Sequence, residues 1–417
     1  MLNLIKPKFV ALMAFAGLVL PAASFAQIAI PPLVIQHQAE REQRAAQGNP
    51  DPAMQHRAAA KDQQQQIETL KATALGDDSA AAINALHQLR NLGEPAKATF
   101  RELVGKLLAH DSAVLQSAHD LSSSTKLGEL SVQISDERKE ARANIDKLSH
   151  DDDSIPKAHK LYDSLKTDWE KLIGSFSQAD AIGRALSRRG ELVTMWKDLM
   201  PTDKQYSDDS EAKLAVRAEK AFGFTAAQLT SMPEIGQGEA PTEPVLRDLW
   251  FYRACRRIQS YNALVSTSMT TGEQENFVCV NSYREYLGIL PCEIDPRLVS
   301  AARDHSQEMV KLGYFAHDSP TEGLKSPWDR IGKTGYKGGS GENIFAGSSS
   351  GQAAFNAWFD SPGHHQNMAS KGSTALGVGN IGNTFTQDMG SGKRLMLQSP
   401  EDRKEAIGNF KAAPKDG

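Results

Sequence analysis

Three cysteines in 417 residues are too few for a disulfide framework. Cys255, Cys279 and Cys292 sit close together in the chain, so an oxidising compartment can pair two and leave one thiol over, or all three can stay buried thiols. Their spacing fits no zinc motif. Charge of one sign is also missing: 47 Lys and Arg stand against 51 Asp and Glu, which argues against nucleic acid or an anionic membrane surface as partner. No apolar run approaches the roughly 20 residues that span a bilayer. Nor does the chain hold a Gly-x-Ser-x-Gly elbow, a His-Glu-x-x-His helix or a glycine loop with the lysine that cradles phosphates. These absences favour binding over catalysis.

What is there begins with an export pattern. Lys6 and Lys8 precede the apolar stretch "FVALMAFAGLVLP", and Ser24 and Ala26 supply small side chains at a cleavage site, so residues 1–26 read as a signal peptide with Gln27 starting the mature chain. The expected location is exported, periplasmic or extracellular, with no transmembrane segment in the mature protein. About 390 residues then remain, enough for two or three domains. Residues 27–66, rich in Pro, Ala and Gln, read as a flexible spacer.

Residues 67–221 carry helical periodicity. One segment, "SAAAINALHQLRNLGEPAKATFRELVGKLLA", resembles a HEAT-type helix pair, in a single copy. Further on, Leu161, Tyr162, Leu165, Trp169, Leu172 and Ile173 form one apolar stripe, and Leu186, Val193, Trp196 and Leu199 another. Such stripes read as bundle core. Residues 222–244, with three prolines and three glycines, read as a linker.

Beyond the linker, short helices alternate with Gly-rich loops. Asp295, Pro296 and Gly313 mark the cap, first turn and stop of a helix whose apolar face runs through Leu298, Ala301, Ala302, His305 and Met309. "LGVGNIGNTFTQDMG" reads as a hairpin. The tail 393–417 is polar and reads as loosely held. In order, "NSYREYLGILPCEID", "AARDHSQEMVKLGYFAHDSP", "SPWDRIGKTGY", "GENI" and "AWFDSPGHHQNM" precede that hairpin. The series resembles the bacterial branch of the CAP superfamily (cysteine-rich secretory, antigen 5 and pathogenesis-related proteins; the SCP domain) over roughly residues 275–392.

The resemblance implies an α+β fold: a C-terminal α-β-α sandwich at 245–392, preceded by the mostly α-helical region and able to fold without it. It also implies a cleft in which relatives hold two histidines and two acids, with a divalent metal between the histidines. His317, Glu342 and His364 match three of these four. The position of the second acid is Ser361, with Asp360 one step before it, so the tetrad is incomplete. No cofactor is required; a zinc-like ion on His317 and His364 is the metal option, with Asp360 the nearest further ligand. The plainer alternative is that all three matched residues staple loops to backbone. His364 is expected to face Glu342 and His317, to be drawn towards its charged form by the carboxylate, and to titrate between about pH 5 and 8. His365 is expected to point away, Asn343 and Asn367 to cap local backbone, and Trp358 and Phe359 to be core beneath the cleft. The functional expectation is a non-enzymatic binding module for a small apolar ligand or an envelope or extracellular protein partner. The alternatives are a metal-assisted hydrolase and a structural envelope protein acting through its helical half.

Overall fold

The computed structural model describes residues 52–76, 78–117, 124–149, 153–206 and 225–399, with the isolated positions 213, 216 and 401. The signal peptide and the first part of the spacer lie outside the described residues. From Pro52 on, the stretch read as spacer is instead helix: α1 runs Pro52–Ala74. Its Ala, Gln and Lys residues are strong helix formers and Pro52 suits the first turn, which decided against coil. Residues up to Glu68 belong to a unit separate from Thr69–Gly417, and of that unit only this helical segment is described.

Within Thr69–Gly417 the helical pattern condenses into α2 (Ser79–Asn91), α3 (Glu94–Ser117), α4 (Ser124–Ile145) and α5 (Ser154–Leu199). Asp78 caps α2 through the Ala81 amide. Both apolar stripes read above lie on the single 46-residue α5, against which α3 and α4 pack. The segment read as a linker carries α6 (Ala226–Thr230), held by a Thr225–Gln228 capping box, and buries Leu229 and Ile235. It does not divide the core. One apolar cluster runs from Leu115 and Trp169 through Tyr252 and Tyr283 to Phe385. Proline and glycine punctuation marks chain direction, whereas a boundary needs a gap in the packing, and Trp169 and Phe176 fill that gap.

Next come α7 (Pro244–Val265), α8 (Thr271–Tyr286), β1 (Glu293–Ile294), α9 (Pro296–Leu312), α10 (Pro327–Lys333), β2 (Gly339–Ala346), α11 (Gly351–Phe359), α12 (Pro362–Met368), β3 (Ala375–Ile381) and β4 (Thr384–Gly390). The strands form one mixed sheet ordered β1-β3-β4-β2, in which β1 runs parallel to β3 and the other pairs are antiparallel. The protein is thus mostly helical with a small mixed sheet. The hairpin falls at Gly382–Asn383, with Gly382 at φ +59°. Helix α9 lies directly on β3 and β4. A Cβ at Gly377 would stand 2.1 Å from the Leu298 carbonyl carbon, and one at Gly379 2.2 Å from the Arg303 amide nitrogen. The two glycines of "LGVG" therefore set the helix–sheet distance. The tail is not loose at its start, since Arg394 and Leu395 are buried and the Leu395 amide donates to Glu293 at 2.6 Å.

Candidate functional site

Three segments meet at the cleft. The loop after α9 brings His317, strand β2 brings Glu342, and the first turn of α12 brings His364. Pro362 at the first helical position makes "SPGHHQN" a helix start as well as a turn. Adjacent residues on a helix diverge by about 100°, and the two histidines part accordingly. His365 turns inward and is fully buried: its Nδ1–H donates to the Phe359 carbonyl at 2.7 Å, so Nε2 accepts from the Tyr283 hydroxyl at 2.5 Å. Burial pulls its pKa down to about 4. His364 turns outward, with its ring centroid 6.3 Å from that of His317.

Glu342 is the hub. His317 Nδ1 donates to its Oε1 at 2.8 Å and an Arg330 terminal nitrogen to its Oε2 at 2.6 Å. Glu342 and Arg330 are both buried, while the His317 side chain is about half exposed. The same Arg330 nitrogen also reaches the His317 carbonyl, and its partner nitrogen reaches those of Leu324 and Lys325, pinning the whole loop. Directly across the β2–β4 ladder from Glu342 stands Asp388, fully buried, with no hydrogen-bond donor on either oxygen. Burial first, and then the charge of Glu342, push Asp388 far above the usual carboxylate range. The ionised form of Asp388 is thus disfavoured beside Glu342.

His364 differs from its expected setting. No bond links it to Glu342; its Nδ1 meets the Ser361 hydroxyl at 2.8 Å. Ser361 is the N-cap of α12, yet its hydroxyl makes no capping bond to the backbone and holds this ring instead. Partial burial, and secondarily the neighbouring His317, lower the His364 pKa. The expected pull towards the charged form is thus reversed, because the carboxylate that was to exert it is taken up by His317 and Arg330. Asp360 leaves the cleft altogether: it is exposed and pairs with Nε2 of His159, on α5, at 2.7 Å. It is not placed to act as a further ligand. Asn343 and Asn367 do more than cap local turns. Asn343 donates to the His364 carbonyl and to Gln387, and Asn367 to Asn343 and the Glu342 carbonyl, stitching α12 to β2 and β4. Trp358 and Phe359 are core, as expected. His305, buried on α9, donates to the Ala316 carbonyl. All three cysteines are free thiols.

Arg330 and Asp388 escaped the sequence reading. The arginine stood inside a quoted motif, and the signal for the aspartate was an acid inside an otherwise buried strand, where it needs a partner. His317 and His364 each tie Nδ1 to a neighbour, and Nε2 of each has no protein hydrogen-bond partner among the described residues. That is the arrangement in which a second shell orients imidazole ligands. The pair fits a divalent ion as two ligands, with water supplying the rest. Among the described residues no three His, Cys, Asp or Glu side chains converge.

Residues 278–388 match the family model for the cysteine-rich secretory protein family, CAP, and the site residues fall inside that span; the C-terminal part of the chain is a CAP domain of bacterial type. Over 125 residues it is 36% identical to the uncharacterized protein YkwD of Bacillus subtilis (strain 168), covering 29% of this chain and 48% of that protein. It is 32% identical over 119 residues to the uncharacterized membrane protein YlbC of the same organism, covering 28% and 34%. The chain thus spans half or less of the length of the curated relatives it matches. Among solved structures, an extracellular protein containing a SCP domain from Bacillus anthracis str. Ames is 27% identical over 37% of this chain and 45% of that one, with a TM-score of 0.28. No described helix is long and apolar enough to cross a membrane.

Proposed function

We propose that the chain is an exported CAP-domain protein whose C-terminal region is an α-β-α sandwich and which works as a non-enzymatic binding module for a small apolar ligand or an envelope or extracellular partner. Export rests on the pattern of residues 1–26. The observation that carries the binding reading is the pairing of Glu342: one oxygen accepts from His317 and the other from the buried Arg330. A general base needs a lone pair free to take a proton from water or substrate, and this carboxylate is instead the anchor of a buried ion pair.

A second reading, metal-assisted hydrolysis, is favoured by the two tethered imidazoles. A bound zinc-like ion would supply Lewis acidity. This chain's contribution would be His317 and His364 as ligands, oriented by Glu342 and Ser361. The test is metal content and ester and peptide hydrolysis of the purified full chain, beside His317→Ala. The binding reading expects no turnover in either. Metal-dependent hydrolysis that disappears in His317→Ala would replace it with the second.

A further inference from the structure

One face of α9 forms a wall of a cavity of about 680 Å³, a volume within the range of small-molecule sites. The opposite wall comes from α10 and the loop that joins the two helices. None of His317, Glu342 and His364 lines it. On α9 the lining is a stripe at helical spacing, Arg297, Ser300, Asp304, Gln307 and Lys311, to which Ala301 and Leu324 add apolar surface.

Three charged groups of the walls are engaged within the protein. Arg297 donates to Asp295 and lies over the Tyr336 ring. Glu308 accepts from the Tyr314 hydroxyl at 2.7 Å and from the Thr321 hydroxyl. Arg330 gives both terminal nitrogens to Glu342 and to backbone carbonyls, but its buried Nε–H has no acceptor. A buried N–H left so is unfavourable, and a carbonyl or carboxylate in the cavity would satisfy it. Asp304, Lys311 and Lys333, all exposed, make no hydrogen bond or ion pair among the described residues, and neither does Gln307.

These unpaired groups have a spacing. Asp304 and Lys311 are two turns apart on one face, about 10 Å at 1.5 Å per residue. Three residues of extended chain span about that length, whereas a free amino acid is too short to reach both charges. Gln307 lies one turn from each, and its amide can both donate to and accept from a peptide bond. With Lys333 on the opposite wall, two unpaired cations face one unpaired anion. The complementary ligand carries one amine and two carboxylates.

We propose that this cavity binds a short acidic peptide of about three residues, its amine at Asp304, its terminal carboxylate at Lys311 and an acidic side chain at Lys333. The site is separate from the cleft, and the proposal does not depend on what the cleft binds.

The experiment titrates the full chain calorimetrically with the tripeptide Ala-Glu-Ala, beside its N-acetylated form, its C-terminal amide and Ala-Gln-Ala. Saturable binding of Ala-Glu-Ala is expected, and each change to the peptide should weaken it about 3- to 5-fold, the worth of one exposed ion pair. Each loss should vanish in one variant only: that of acetylation in Asp304→Asn, that of amidation in Lys311→Gln, and that of Ala-Gln-Ala in Lys333→Gln. All three positions are exposed, so the variants keep the fold. Lys337→Gln, a lysine outside the lining, should change nothing. Equal binding of the blocked and free peptides overturns the ligand class. Losses that persist unchanged in all three variants overturn the site. No saturation by about 10 mM peptide overturns the proposal as a whole.

Discussion

Glu342 on β2 and Asp388 on β4 are cross-strand partners, two buried carboxyl groups beside a single buried guanidinium, that of Arg330. Two like charges in one low-dielectric site disfavour each other, and Asp388, with no hydrogen-bond partner on either oxygen, is the acid driven well above the usual carboxylate range, whereas Glu342 faces Arg330.

Replacing either acid by its amide therefore has unequal consequences. Glu342→Gln leaves Arg330 buried without its counter-ion and is expected to cost about 3–5 kcal/mol. Asp388→Asn replaces a buried carboxyl without a hydrogen-bond partner by a neutral amide of similar shape and is expected to change stability by less than about 1 kcal/mol near pH 5. Urea unfolding of both variants checks this; equal losses would mean the two acids share the charge evenly.

A second buried acid sets a pH dependence. Burial raises Glu293 to about 7, partly opposed by Arg394. Its folded pKa exceeds the unfolded value of about 4.3, so the folded state binds more protons between those two pH values. The stability this group confers is present below about pH 4 and is lost as pH rises to about 7, a loss on the order of 3 kcal/mol. Glu293→Gln lacks the slope. Unfolding free energies of parent and variant from pH 4 to 8 should diverge in the variant's favour, and parallel curves would contradict the assignment.

The second-acid position offers a gain-of-affinity test. Ser361→Asp places a carboxylate where the hydroxyl now holds His364 Nδ1. A stronger acceptor there should fix the ring and raise its basicity, tightening zinc binding to the full chain by roughly 10-fold. Calorimetric titration of parent and variant measures it; unchanged or weaker binding would show that His317 and His364 do not ligate together.

The continuous core argues against the independent folding expected of residues 245–392. Tyr162 packs against Tyr283, Tyr286, Phe355 and Phe359, with ring centroids 5.6–6.5 Å apart. Arg138 is buried against Asp248 and the carbonyls of Glu285 and Tyr286. A 245–399 fragment should unfold without a cooperative transition, and co-expression with residues 69–206 should restore one. A fragment that melts as sharply as the full chain would restore the domain boundary read from the sequence.

Close packing makes one further position critical. Gly377→Ala drives a methyl group into the α9 backbone at 2.1 Å, where no flexible side chain can yield. It should cost more than about 3 kcal/mol or prevent soluble expression. Gly363→Ala, with nothing within 4 Å of the added carbon, should be nearly neutral.

Much of this was written locally. Asp295, Pro296 and Gly313 delimit α9 because caps and stops act within a few residues, and "NIGNTF" turns at Gly382–Asn383 because a two-residue hairpin asks for a glycine of positive φ. The family motifs likewise placed His317, Glu342 and His364 in one cleft. What the sequence could not specify is who partners whom across long separations. Arg330 pairs with Glu342, burial beside Glu342 disfavours the Asp388 anion, His159 draws Asp360 out of the cleft, and α5 closes a cavity over α7 and α8. Each depends on distances between segments far apart in the chain, and on the loss of water between them. Burial turns an ordinary carboxylate or imidazole into one whose charge is set by its nearest neighbour, and only the packed tertiary structure decides which neighbour that is.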